Sequence, residues 1–501
     1  MHRALRWPVL IAWIAFVARV ALLTHESLWR DEVDSVRFAL EPLSTVLSRL
    51  SAPGFNGPLY FLLLRGWFAL VGVNDFTLRY FSALAGTALV VLGYVLGKRL
   101  FGRSAGLAAE WIMALSPLLV WYAGEGRMYA LQPALLALAM YALLRALGPW
   151  HARRVGWWSV FVVATSLSFY IHVLSPLVLL VASVAFVALP AARAHWRSAL
   201  VALAFLTLPY LPLVAWQAPA VLRGGGTLLP FFPPGAVVNT LLRTWTFGLN
   251  TDAPLFFLPA PEGRVAVQGV LLGGVIVGVV WAFKRSNALE RRWMLVLMAW
   301  AVLPSAALML LSLRVPLFLP RYVLWSATPF YVVLGALIAR IARVQWRWSV
   351  LGLVTVVSAS GLAAQVLVPI RPDLRGAVAQ VLRAAQPNEP VVLQIGYLRH
   401  AFAYYAAQHG FTAPPVRLIE APYANEATLE AVGAQLESQL MQTQSVWLFE
   451  SESAMWDKHG HTRRWFETRW QRAEAWAFHG VYVARFVRQT QPSYVLSSTS
   501  R

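Results

Sequence analysis

The feature that most constrains this chain is a repeated alternation of apolar stretches of bilayer length with short loops carrying basic residues. An α-helix needs about 20 apolar residues to cross a bilayer. Such stretches occupy residues 7–24, 79–97, 104–121, 129–145, 155–170, 173–190, 199–217, 264–283, 293–313, 322–339 and 349–369. Between them fall Lys98-Arg99 with Arg103, Arg145 with Arg153-Arg154, Arg193 with Arg197, Lys284-Arg285 with Arg291-Arg292, and Arg340 with Arg343 and Arg347. Cytoplasmic loops of membrane proteins carry this excess of Lys and Arg. With eleven spans and a cytoplasmic N-terminus, all five clusters fall on the cytoplasmic side. The agreement requires that the apolar stretch 58–71 does not cross. At roughly 14 residues it suits an interfacial or re-entrant helix better than a span. Residues 25–78 then form one outer loop whose helices lie along the membrane.

The remaining composition agrees. Hydrophobic residues make up 58% and charged residues 13% of the 501 positions, against about 25% charged in soluble domains. The net charge of +20 sits in short clusters rather than one stripe, which fits anionic lipid headgroups and excludes nucleic acid as a partner. Without cysteine there are no disulfides, thiolate metal sites or cysteine nucleophiles. Residues 7–23 follow His2, Arg3 and Arg6 with no small-residue cleavage site, so they read as a retained signal anchor.

Two further regions stand out. Residues 218–262, with Gly224-Gly225-Gly226 and Phe231-Phe232-Pro233-Pro234, read as a long outer loop, either a substrate lid or a passive interfacial segment. Beyond Pro369 no apolar run reaches membrane length. Short β-like runs (391–395, 416–419, 445–449, 480–486) alternate with helical patterns (374–385, 398–408, 426–441, 463–470). That predicts a small α/β domain over 371–488 on the outer side, with 489–501 as a disordered tail. The fold class is therefore a polytopic α-helical membrane protein of about eleven transmembrane helices over residues 1–370, with a small C-terminal α/β extracytoplasmic domain.

The first 370 positions hold only 11 acids, and five of them, Glu26, Asp31, Glu32, Asp34 and Glu41, lie within sixteen residues. Carboxylates beside a membrane are costly to dehydrate and stay where they have a partner or a job. A solvated acidic loop is the plain alternative. An outward-facing site has no cytoplasmic nucleotide-activated substrates, so group transfer there needs a donor held in the membrane, such as a lipid-linked phosphate. That chemistry needs a base, for which Asp31 or Glu32 is the candidate, and cations for the leaving phosphate. Arg127 and Arg321, both predicted at outer membrane ends, offer planar donor forks. Each also has a structural alternative, snorkelling to the interface or pairing with an outer carboxylate such as Glu125.

Several segments, in order, resemble the GT-C glycosyltransferases, most closely the protein O-mannosyltransferase and aminoarabinose-transferase-like group. They are Ser27-Leu28-Trp29-Arg30-Asp31-Glu32, Asn56-Gly57-Pro58 leading to Leu64, Asp75-Phe76-Thr77-Leu78-Arg79, Lys98-Arg99-Leu100-Phe101-Gly102, Ser116-Pro117 leading to Glu125-Gly126-Arg127-Met128-Tyr129, Tyr170-Ile171-His172, and Arg321-Tyr322. Asp373-Leu374-Arg375-Gly376-Ala377 is similar to the segment that opens the outer domain in relatives. The likeness covers roughly residues 1–340. It implies an inverting hexosyl- or pentosyltransferase that takes sugar from a polyprenyl-phosphate carrier and passes it to an extracytoplasmic glycan, lipid or protein.

The resemblance makes Asp31 the catalytic base and Glu32 its supporting partner. It makes Glu125, Arg127, Tyr129, His172, Arg321 and Tyr322 substrate- and phosphate-binding positions, with Asn56 standing where many relatives have the histidine of His-Pro-Pro. Many relatives also have Gln-Glu-Ala-Arg at Gly124-Glu125-Gly126-Arg127, so two glycines here loosen the local backbone. A divalent metal would be held by Asp31 and Glu32; the group includes members not thought to need one, and metal dependence stays open. The expected location is the inner (plasma) membrane of a bacterial cell.

A transporter or flippase of lipid-linked sugars is the alternative, although internal repeats with broken helices at matching positions are lacking. A non-catalytic scaffold would leave the acidic cluster and the arginines unexplained. The threading has a direct test: reporter fusions after residue 100 should read cytoplasmic and after residue 375 external. Both reporters on one side would overturn the interfacial reading of residues 58–71.

Overall fold

A computed structural model describes residues 2–50, 56–148, 154–212, 214–215, 230–249 and 261–488. The chain divides into two units. Met1–Leu23 joins Phe38–Val368, and Thr24–Arg37 joins Pro369–Arg501. Residues 24–37, expected in the membrane half, thus group with the C-terminal part.

In the first unit the described part of each of the eleven apolar stretches is mostly helical, from His2–Val20 to Val344–Leu367. Among the described residues, four helices are long and apolar enough to cross a membrane: Asp75–Phe101, Ala288–Ser312, Pro320–Ala339 and Val344–Leu367. Two bent pairs raise the number to six. Arg103–Leu115 with Pro117–Ala123 turns by 60°, and Ser175–Ala188 with Ala192–Tyr210 by 119°. Among the described residues, length and hydropathy thus support four to six spans. Leu59–Val71, at 13 residues, remains a short apolar helix. Within the predicted outer loop 218–262, Pro234–Phe247 is helical, with Pro234 at its first position where no backbone donor is needed. Gly224-Gly225-Gly226 lies outside the described residues.

Apolar side chains cover the outside of this unit. Trp13, Val277, Leu310 and Trp348 are each at least 60% exposed, as expected of surface bathed in lipid rather than water. Inside, small residues bring backbones together. A Cβ on Gly335 would sit 2.6 Å from the backbone nitrogen of Ala109. The 60° bend frees two carbonyls, since the Met113 carbonyl would normally accept from residue 117, which is proline. Buried Arg19 replaces the missing donors, giving 3.0 Å and 3.1 Å hydrogen bonds to the carbonyls of Met113 and Ala114. Arg79 donates to the Leu23 carbonyl at 2.6 Å. The two arginines fix the first helix ahead of the acidic segment.

The second unit holds a five-stranded sheet of β1 (Pro390–Leu393), β2 (Arg417–Glu420), β3 (Ser445–Ser451), β4 (Trp470–Phe478) and β5 (Val481–Arg488), in the order β2-β1-β3-β5-β4. β1 runs parallel to β2 and β3, while β5 is antiparallel to β3 and β4. β1 is buried throughout, which is why it reads as an unbroken apolar run. One core joins Val392, Val446 and Leu448 of the sheet with Leu436, Trp465 and Phe466 of helices Leu429–Leu440 and His461–Arg469.

Candidate active site

The expected site residues divide between the two units. In the first, Asn56-Gly57-Pro58 is laid against the turn that carries His172. The Leu59 N–H donates to the Tyr170 carbonyl at 3.0 Å, and the Val173 N–H donates to Asn56 Oδ1 at 3.4 Å. A Cβ on Gly57 would lie 2.0 Å from that Tyr170 oxygen. No side chain fits there, which accounts for glycine at the middle position of the motif. Gly126 likewise packs against Leu78, 2.4 Å from where its Cβ would be. It serves close packing rather than a loosened backbone.

His172 is 1% exposed and forms the centre of a ring cluster. Its centroid lies 5.3 Å from Tyr322 and 6.2 Å from Tyr129. The Arg321 guanidinium stands 5.4 Å from the centre of the Tyr129 ring and 5.9 Å from that of Tyr322. Arg127 lies 5.9 Å from the Phe61 ring, and its carbonyl accepts from Ser82, which contacts Tyr60. Glu125 is buried one residue before Gly126. The cluster thus holds two guanidinium groups, two phenols and an imidazole. His172 Nδ1 accepts from the Leu174 N–H at 3.1 Å, so in the neutral ring Nε2 carries the proton. Burial, and then the charges of Arg127 and Arg321, push His172 down to about 3. At neutral pH it is an uncharged N–H donor. Nε2 is buried and makes no hydrogen bond among the described residues.

In the second unit, Asp31 and Glu32 open the helix Arg30–Leu40, where its dipole favours acids. Their surroundings differ. Glu32 is fully buried, 3.8 Å from Arg371 Nη1. Glu26 also faces Arg371, at 3.9 Å, and accepts from the Ile370 N–H at 2.7 Å. Asp34 pairs with Arg37 at 2.9 Å. Asp31 keeps partial exposure, with Arg30 Nε 3.5 Å away. Ser27 donates to Asp373 at 2.8 Å, the Leu28 N–H donates to the Tyr405 hydroxyl at 2.6 Å, and Arg375 reaches the carbonyls of Thr24 and Glu26. Asp373 also caps the helix Leu374–Ala384 through the Gly376 N–H. A Cβ on Gly376 would come 2.4 Å from that carboxylate, which accounts for the Asp-Leu-Arg-Gly sequence.

Asp31 thus keeps partial exposure beside Arg30, while Glu32 is fully buried against Arg371. Sequence reasoning missed Arg371, Tyr405 and Asp373 as anchors because they are hundreds of positions distant, as far as 377 for Leu28 and Tyr405. The residues present do not fit a divalent cation. Both acids already face guanidinium groups, and no group of three or more His, Asp or Glu side chains assembles among the described residues.

Residues 53–216 match the family of dolichyl-phosphate-mannose-protein mannosyltransferases. Across nearly the whole chain, the fold is similar to that of two solved proteins. ArnT from Cupriavidus metallidurans in the apo state is similar at TM-score 0.59 and 14% identity, over 96% of this chain and 97% of that one. ArnT bound to undecaprenyl phosphate is similar at 0.57 and 15%, over 96% and 98%. The Archaeoglobus fulgidus oligosaccharyltransferase tethered with an acceptor peptide gives 0.53 and 12%, over 97% and 74%. No curated protein sequence matches significantly. The resemblance to GT-C glycosyltransferases read from the motifs is borne out.

The buried histidine gives a pH prediction. Its folded pKa, about 3, lies below an unfolded value near 6.5. The unfolded chain therefore binds the extra proton first, and stability falls as pH drops below about 6.5. His172→Asn should lose less thermal stability than wild type between pH 7 and pH 4. Parallel losses in the two proteins would show that His172 is not held neutral.

Proposed function

We propose that this chain is an integral-membrane glycosyltransferase that moves a sugar from a polyprenyl-phosphate carrier to an extracytoplasmic acceptor, inverting the anomeric centre. The observation that carries this reading is the buried cluster in which the neutral Nε2–H of His172 stands among Arg127, Arg321, Tyr129 and Tyr322. It sits in a fold shared with an enzyme solved bound to undecaprenyl phosphate. Positive charge beside a buried, uncharged N–H donor suits a lipid phosphate.

In the proposed reaction the acceptor hydroxyl or amine attacks the anomeric carbon from the face opposite the phosphate. Asp31 takes its proton. As the new bond forms, the bond from the anomeric carbon to the phosphate oxygen breaks, and the lipid phosphate leaves with one more negative charge. Arg127 and Arg321 offset that charge, and His172 Nε2–H donates to a phosphate oxygen. Preorganised donors act most strongly on charge that develops during reaction. Arginine suits the task better than lysine because its planar fork grips two oxygens together. Asn56 holds the His172 turn, and Glu32 keeps the acidic segment in place. The proposed topology is eleven spans with the C-terminal domain outside, in a bacterial inner membrane. No observation favours the flippase alternative.

Substitution tests the assignment. Asp31→Asn keeps size and most hydrogen bonds, so the protein should accumulate and bind undecaprenyl phosphate while transfer falls by about 10²–10⁴-fold. Arg127→Lys and Arg321→Lys should weaken both binding and turnover at unchanged protein level. Wild-type transfer by Asp31→Asn would remove Asp31 as the base.

A further inference from the structure

Ligands of open α/β sheets bind beyond the carboxyl ends of the parallel strands. In the second unit that end carries Tyr397 after β1, Tyr423 and Asn425 after β2, and Glu452 and Trp456 after β3. It is filled by this chain's own Arg30. The guanidinium carbon stands 5.4 Å from the centre of the Tyr397 ring and 5.6 Å from that of Trp456. Two rings around one guanidinium form a cation–π box. The box is itself fixed by one atom, because the Tyr397 hydroxyl and the Trp456 indole N–H both donate to Glu452 Oε2, at 2.5 Å and 3.4 Å. Burial and the adjacent Glu452 charge hold the Tyr397 pKa above the usual phenol range, so its O–H remains a donor.

Glu452 adopts φ +52°, a left-handed conformation that costs a non-glycine residue free energy and persists where its surroundings demand it. Its neighbours provide the demand. The Ser451 N–H and the Ser453 hydroxyl both donate to Gln394 Oε1, at 3.2 Å and 3.4 Å, which clamps the turn after β3 to the end of β1. On its other side Arg30 faces the Asp31 carboxylate, 3.5 Å from Nε. A continuous set of contacts runs from the strained turn through the aromatic pair and Arg30 to Asp31.

We infer that the C-terminal domain is a positioning device for the base: Glu452, Tyr397 and Trp456 seat Arg30, and Arg30 orients the Asp31 carboxylate. This rests on the reading of Asp31 as general base. The four residues touch neither donor nor acceptor; they act through Asp31. The domain thereby contributes to turnover without contributing to lipid-phosphate binding.

The test measures transfer of radiolabel from a lipid-linked sugar pool by full-length protein in membranes, with binding of undecaprenyl phosphate to the purified protein measured in parallel. Trp456→Leu should lower kcat by roughly 10- to 100-fold with donor KM and undecaprenyl phosphate affinity unchanged. Trp456→Phe, which restores an aromatic face, should recover most of the rate. Arg30→Met should lose a similar factor, and adding Trp456→Leu to it should cost nothing further, because the box acts only through Arg30. Should Trp456→Leu fail to accumulate, Tyr397→Leu takes its place in the same cycle. Wild-type kcat in these variants, or multiplicative losses in the double variant, overturns the inference while an inactive Asp31→Asn leaves the transferase reading standing. An active Asp31→Asn overturns that reading itself.

Discussion

The joining of residues 24–37 to the C-terminal part centres on one buried guanidinium. Arg371 is 8% exposed and faces Glu26 and Glu32, two acids from a segment that the chain reaches some 340 residues earlier. Removing one partner of a buried ion pair leaves an uncompensated charge and costs roughly 3–5 kcal/mol. Around this centre the Ser27–Asp373 and Leu28–Tyr405 hydrogen bonds fasten the rest of residues 24–37 into the C-terminal unit. With Glu26 and Glu32 committed to Arg371, and Asp34 to Arg37, Asp31 is left partly exposed beside Arg30. The acidic cluster that stands out in the sequence is thus mostly matched with arginines.

The membrane unit meets a different constraint. Backbone groups inside a bilayer must be satisfied by the protein itself, and the break at Ser116-Pro117 would leave carbonyls exposed. Arg19 answers that need, while Ser116 meets Tyr331, whose hydroxyl also reaches the Trp245 carbonyl. These contacts hold a bent helix just ahead of the Gly124–Tyr129 turn, from which Arg127 and Tyr129 project. On the other side, Gly57 lets the chain press onto Tyr170 and brace the His172 turn. The phosphate-site candidates therefore sit on turns that are themselves tied down, as a preorganised electrostatic site requires.

Much of the helical pattern was legible in the sequence because its signal is local. The apolar stretches mark helices, and Leu398–Gln408 has the same bounds in sequence and structure. The misses have physical causes. The edge strand Trp470–Phe478 is mostly exposed, so it shows no buried alternation. The helix Pro234–Phe247 begins at paired prolines and reads as loop. Long-range pairing was invisible altogether: nothing near Glu26 or Glu32 in sequence points to Arg371, and nothing near Arg30 points to Trp456. The family resemblance, in contrast, reached Arg127, His172 and Arg321 together, and the structure brings all three around Tyr129 and Tyr322.

The central claim is that a sugar leaves a lipid phosphate on this protein and reaches an acceptor outside the membrane. The most direct measurement supplies membranes containing the protein with a radiolabelled lipid-linked sugar pool, then follows both the label and the anomeric configuration of the product. The expected result is protein-dependent label on a glycan, lipid or protein acceptor, with configuration inverted relative to the donor. Label that stays on the lipid carrier, or moves with retained configuration, would contradict it.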